Sequence, residues 1–127
     1  MNIQHLRYAV EVEKTRSITE AAEKHGRPAP RVIAALPVCV TTDTEAATER
    51  AAQEFAAYGA LPSYRAMLDR EGVAGPAEIA IIGSAAQVQE RIAALADIGV
   101  TDFAAVEVGG TPDEIAETRE ALKGLLV

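Results

Sequence analysis

At 127 residues the chain has the length of one ordinary domain, enough to bury about two thirds of its unfolded surface without a disulfide or a structural metal. Its formal charge is -7; residues 1–30 carry five Lys/Arg against four acids and the remainder seven against fifteen, so the body repels a phosphate backbone and a nucleic-acid partner is not expected. Cys39 is the one cysteine, and His5 and His25 lack ligand-spaced partners, which excludes a disulfide framework and leaves no legible metal site.

The N-terminus lacks an apolar signal core and no run reaches the length of a membrane span, so a cytoplasmic protein without membrane contact is expected. Apolar residues make up 49 % of the chain, aromatics only 4 %, and many of the apolar residues are alanine, so the core should be fine-grained.

In chain order, residues 1–26 read as two short helices. Ile3, Leu6 and Val10 recur at helical spacing, and Ser17-Ile18-Thr19-Glu20 has the form of a capping box before Ala21-Ala22-Glu23-Lys24, with His25-Gly26 as the stop. Residues 31–41 are apolar and β-branched but hold Pro37, which lacks a ladder donor; this predicts an edge strand, or a strand with a bulge or break at the proline. Thr42-Asp43-Thr44-Glu45 opens an alanine-rich helix whose Ala47, Ala51, Phe55 and Tyr58 share a face, with Gly59 as its cap. Leu61-Pro62-Ser63 starts another helix that runs to Arg70-Glu71 and stops at Gly72, and Ala74-Gly75-Pro76 is a turn.

The clearest stretch follows. Glu78-Ile79-Ala80-Ile81-Ile82 reads as a strand, Gly83-Ser84 breaks it, residues 85–98 form a helix with Val88, Ile92, Leu95 and Ala96 as its buried stripe, Gly99 stops it, and residues 102–108 are a second strand. That is a βαβ unit with parallel strands, a right-handed crossover and both sheet faces covered. Thr111-Pro112-Asp113-Glu114 is a strong helix start, and Ile115, Leu122, Leu125 and Leu126 give the last helix its apolar side.

Parallel α/β proteins place ligands at the turns beyond the carboxyl ends of their strands. Gly83 and Ser84 sit at one such turn and Gly109 and Gly110 at the next, each ahead of a helix N-terminus whose N–H groups suit an anion. Neither turn carries the lysine of a phosphate loop or the GxGxxG spacing, and simple helix capping accounts for both. Asp97, Asp102 and Glu107 are scattered, and only Glu107, inside an apolar run, is costly to bury. Cys39 reads as a small core residue, and Tyr58, Tyr64 and Arg65 as packing at a helix junction. No nucleophile and base can be assembled from these residues.

Two resemblances add to this reading. Met1-Asn2-Ile3-Gln4-His5-Leu6-Arg7-Tyr8 with Ser17-Ile18-Thr19-Glu20-Ala21-Ala22-Glu23 resembles the opening of a LysR-type transcriptional regulator. The base-reading helix of that family is replaced here by Gly26-Arg27-Pro28-Ala29-Pro30, where two prolines oppose a helix. From residue 27 on, Arg27-Pro28-Ala29-Pro30-Arg31-Val32, Leu36-Pro37-Val38-Cys39-Val40-Thr41, the stretch from Tyr58-Gly59-Ala60-Leu61-Pro62 to Arg70-Glu71-Gly72, Ile82-Gly83 and Gly99-Val100-Thr101-Asp102-Phe103 are similar to the C-terminal part of a luciferase-like oxidoreductase, closest to the deazaflavin branch.

The second resemblance implies the closing strands and helices of a (β/α)8 barrel. The expected fold is thus α/β: about three mostly parallel strands with flanking helices (27–127), preceded by a helical arm (1–26). It further implies descent from flavin- or deazaflavin-dependent oxidoreduction, with coenzyme F-420 or FMN near Gly83, Ser84, Gly109 and Gly110, or no cofactor in a chain that lacks most of the barrel and does not turn over alone. An open sheet of three strands leaves edges and a face to cover, so a homodimer or a protein partner is expected. The alternatives are a small acidic interaction module of the inhibitor or antitoxin kind and, third, a DNA-binding regulator.

Overall fold

The computed structural model describes residues 7, 10–12 and 14–126. The chain divides into two compact units, Met1–Val32 and Ile33–Val127. Ile3, Leu6 and most of residues 1–8 lie outside the described residues.

In the first unit, residues 10–12, 14 and 15 are helical, and α1 spans Ile18–Lys24. Ser17 caps α1 by accepting from the Glu20 N–H at 3.2 Å. The Glu20 carboxylate pairs with Lys24 one turn on, and the same ammonium reaches Glu11 at 3.1 Å. That bond to Lys24 holds the Glu11 carboxyl below its ordinary value. The helix is capped at His25 and Gly26, and residues 27–32, which hold Pro28 and Pro30, carry no regular structure.

The second unit contains β1 (Ile33–Val40), α2 (Thr44–Glu54), α3 (Ala56–Gly59), α4 (Pro62–Glu71), a 3-10 turn (Pro76–Ile79), β2 (Ile81–Gly83), α5 (Ala85–Asp97), β3 (Asp102–Glu107) and α6 (Pro112–Lys123). The strands form one open, parallel sheet in the order β2-β1-β3. Three parallel strands flanked by helices and not closed into a barrel agree with the expectation from sequence.

The strand order corrects two details. β2 and β3 do not pair with each other; each pairs with β1, Val38 opposite Ile81 on one side and Ile33 opposite Asp102 on the other. β1 is therefore the central strand, and it runs through Pro37 without a break. The physical reason lies in the alternation of backbone groups along a strand. Val38 accepts from the Val108 N–H on the β3 side, and Thr41 donates to Gly83 on the β2 side, so Pro37 faces β2. β2 begins pairing only at Val38, so the missing donor of Pro37 points where no ladder exists.

Helices pack against both faces. Cys39, Ile82 and Val108 pack with Ala47 of α2 and with Phe55 on one face; Val38, Val40 and Ile81 pack with Val88 of α5, and Ile92, Leu95, Phe103 and Leu122 close around them on the other. The crossovers from β1 to β2 and from β2 to β3 run in opposite directions over opposite faces, so they share one hand.

Local signals set most helix ends. Ser84 and Gln87 form the expected reciprocal box, Gly72 stops α4 at φ 73° and Gly99 follows α5 at φ 102°. Two starts differ. The cap of α2 is Asp43, one residue later than the box pattern suggests, and that helix ends at Glu54, with α3 a separate turn. The run from Glu78 to Ile82 is half 3-10 turn: Pro76 opens it, and the Glu78 carboxylate accepts from the Ala74 and Gly75 N–H groups, which leaves only Ile81, Ile82 and Gly83 for the strand.

Candidate functional site

In an open parallel sheet, ligands bind outside the carboxyl ends of the strands, at the point where successive connections leave in opposite directions. With the order β2-β1-β3 that point lies between the ends of β1 and β3. It is bounded by Thr41, by Gly109 and Gly110, and by the first turn of α6.

The crevice is filled by the chain itself. Glu114, at the third position of α6, turns its carboxylate inward and accepts from the Thr41 hydroxyl at 2.8 Å, the Arg50 guanidinium at 2.8 Å and the Gly110 N–H at 2.7 Å. These donors come from the end of β1, from α2 and from the loop after β3, so one carboxylate ties three elements together. They also hold its pKa below the ordinary carboxylate value, the Thr41 hydroxyl first and then the Gly110 N–H. One turn further along α6, the fully buried Thr118 accepts from the Val40 N–H at 2.8 Å and donates to the Glu114 carbonyl at 2.7 Å. The hydroxyl thus takes up the backbone donor of the last residue of β1.

The glycines expected near a cofactor are accounted for by this packing. A Cβ on Gly110 would stand 2.8 Å from the Arg50 guanidinium carbon, and one on Gly109 2.8 Å from Ile115 Cγ1 and 3.2 Å from the Ile115 nitrogen. At the other turn a Cβ on Gly83 would meet the Gln87 carboxamide oxygen at 2.7 Å, and that same oxygen accepts from the Ser84 N–H at 2.9 Å. Both close approaches are made by side chains of this chain. At α6 the first helical residue is Pro112, which has no N–H, and Asp113 and Glu114 bring negative charge to the helix start. Of the N–H groups at these turns, those of Ser84 and Gly110 are already taken by Gln87 and Glu114, and at the α6 turn Asp113 and Glu114 would repel an anion beside Gly109 and Gly110.

The other residues singled out from the sequence have structural partners. Glu107 is held by Arg119 of α6, whose Nε donates at 3.0 Å, and this guanidinium lowers the carboxyl pKa; the cost of an acid in β3 is met by a cation across the sheet edge. Cys39 is fully buried, and burial pushes its thiol above the ordinary range. Tyr58 and Tyr64 pack edge to face with ring centres 5.2 Å apart. Arg65 leaves them and donates to the carbonyls of Val73 and Ala74, which pins the loop after α4. Among the described residues no group of three or more His, Cys, Asp or Glu could hold a metal ion, and no helix is long and apolar enough to cross a membrane.

Sequence reasoning missed Thr41, Arg50 and Thr118. The Thr111 to Glu114 spacing was read as capping, and Thr111 does cap α6, accepting from the Glu114 N–H at 3.2 Å. Glu114 followed by Thr118 one turn on was a usable sign that this helix face turns inward. Two grooves lie away from the crevice. One, of about 560 Å³, is bounded by α5, β3 and the chain after α6; the other, of about 300 Å³, lies between Tyr58, Tyr64 and Met67 and the sheet residues Ala35, Pro37 and Val106.

Comparison with known proteins finds one family: the model of luciferase-like monooxygenases matches residues 5–127. The match takes in most of the segment that resembles a regulator. No curated protein and no solved structure matches the chain.

Proposed function

Because the chain belongs to the luciferase-like monooxygenase family, we propose that it is a member whose three-stranded sheet serves as a binding scaffold and does not carry out oxidoreduction by itself. The observation that carries this reading is the filled crevice: Glu114 and Gln87 take the N–H groups of Gly110 and Ser84 that would face a cofactor. The resemblance that suggests coenzyme F-420 or FMN concerns a closed eight-stranded barrel whose catalytic face draws on loops from all its strands. Among the described residues the sheet has three strands. Its net charge of -7 and the apolar face left open beside β3 favour a protein partner over a nucleic acid.

The test is a fluorescence titration of purified protein with coenzyme F-420 and, in parallel, FMN, with light scattering to establish that the sample is monodisperse. Unchanged cofactor fluorescence with a folded protein is expected. Saturable binding near micromolar concentration would contradict the scaffold reading and restore the oxidoreductase one.

A further inference from the structure

We propose that the sheet face opposite α5 and α6, beside β3, is the contact surface of a homodimer, with the α4 ridge of each copy seated on the open sheet of the other. β1 and β3 place Ala35 and Pro37 beside Ala104 and Val106 on this face, with Ile33 beside Asp102 at its amino-terminal end. α2 covers its carboxyl end, where Ala47 packs with Cys39, Ile82 and Val108, and leaves the amino-terminal strip of β1 and β3 open. Ala104 and Val106 stay exposed although Ala105, between them, is packed against the opposite core.

Tyr58, Tyr64 and Met67 stand along one margin of the face, and the 300 Å³ groove runs between them and the sheet. Ile33, Val106, Tyr58, Tyr64 and Met67 are between 39 and 63 % exposed. These five side chains present on the order of 500 Å² of apolar surface, most of the roughly 800 Å² that each partner contributes to a stable interface. Ala35, Ala104 and Leu61 extend it.

Two features point to a second copy. The groove is lined by no charged side chain, so nothing in it would recognise an acidic or basic segment, and burying it carries no ion-desolvation cost. A ridge, Tyr64 and Met67 at helical spacing on α4, and a trough, the open strip of β1 and β3, stand side by side on one surface. A two-fold rotation brings each ridge over the other trough, which is the self-complementarity an isologous dimer needs.

This inference names a partner for the scaffold reading above, and the two fail separately: a dimer that binds FMN keeps this one and loses the other. The experiment is sedimentation velocity of the full chain from about 1 to about 100 µM, a range that brackets a micromolar dissociation constant. The wild type is expected to pass from monomer to dimer. Val106→Asp and Met67→Glu, both at exposed positions, should weaken the dimer at least about 100-fold, the scale of a charge placed in an apolar contact. Leu126→Asp, in the 560 Å³ groove on the other side, should leave it unchanged. Circular dichroism of each variant checks the fold; if one of the two face variants unfolds, the other decides. A wild type that stays monomeric throughout, or a dimer lost in Leu126→Asp and kept in a folded Val106→Asp or Met67→Glu, overturns the proposal.

Discussion

Replacing Glu114 by Gln keeps the shape of the side chain and removes its charge. In the wild type its two carboxylate oxygens receive the Thr41 hydroxyl, the Gly110 N–H and the Arg50 guanidinium, all within 2.8 Å. A hydrogen bond to a charged group contributes about 1.5–3 kcal/mol when sheltered and much less where solvent screens it. The Arg50 side chain is 37 % exposed and that of Glu114 20 %, so the lower end applies to this pair. Gln can still accept from Arg50 and Gly110 through its carbonyl, so Glu114→Gln should cost about 1 kcal/mol, and Glu114→Ala, which strands the buried Thr41 hydroxyl and leaves Arg50 and the Gly110 N–H to water, about 1–3 kcal/mol. In a chain of this length about 1 kcal/mol corresponds to roughly 3–6 °C in the unfolding midpoint. The pH dependence has a definite sign. The folded carboxyl titrates below its ordinary 4.5, so its stabilisation is present above that value and is lost as pH falls through the depressed one. Thermal unfolding followed by circular dichroism should show the wild type above Glu114→Gln at pH 7 and the two converging in acid. Equal midpoints at pH 7, or a gap that does not shrink in acid, would refute the assignment of Glu114 as the tie between β1, α2 and the β3 to α6 loop.

Thr118→Val preserves volume but strands the Val40 N–H in the core, and urea unfolding should show a loss of about 1–3 kcal/mol. Gly109→Ala should lower the thermal midpoint more than Gly110→Ala, because the new methyl meets the Ile115 backbone nitrogen in the first case and the movable end of Arg50 in the second. The Cys39 thiol, buried and held protonated by burial and then by the Glu114 charge, should react slowly with an aromatic disulfide reagent at pH 8. Its rate should rise in Glu114→Gln in step with the stability lost, because the thiol is reached by opening of the fold.

What was legible in the sequence was mostly local. Ser17, Ser84, Thr111 and the stops at Gly72 and Gly99 act within four residues, so the helices they bound could be read without knowing the fold. The position of β1 could not, because Pro37 is acceptable in a central strand only when its neighbour is as short as β2, a fact about another part of the chain. The same holds for the candidate site. Gly83, Ser84, Gly109 and Gly110 were found as turns at strand ends, but the side chains that fill them differ in visibility. Gln87 lies three residues from Ser84, while Arg50 and Thr41 lie 64 and 73 residues from Glu114. Glycine at a strand end thus signals close approach without saying by what.

The most direct test of a crevice closed by its own chain is the amide resonances of Ser84 and Gly110 in a two-dimensional NMR spectrum, recorded while FMN and coenzyme F-420 are added in excess. Both N–H groups are already donated, to Gln87 and Glu114, and their shifts should not move. Shifts that change and saturate with added cofactor, centred on these two amides, would contradict the account and make the turns a working cofactor cradle.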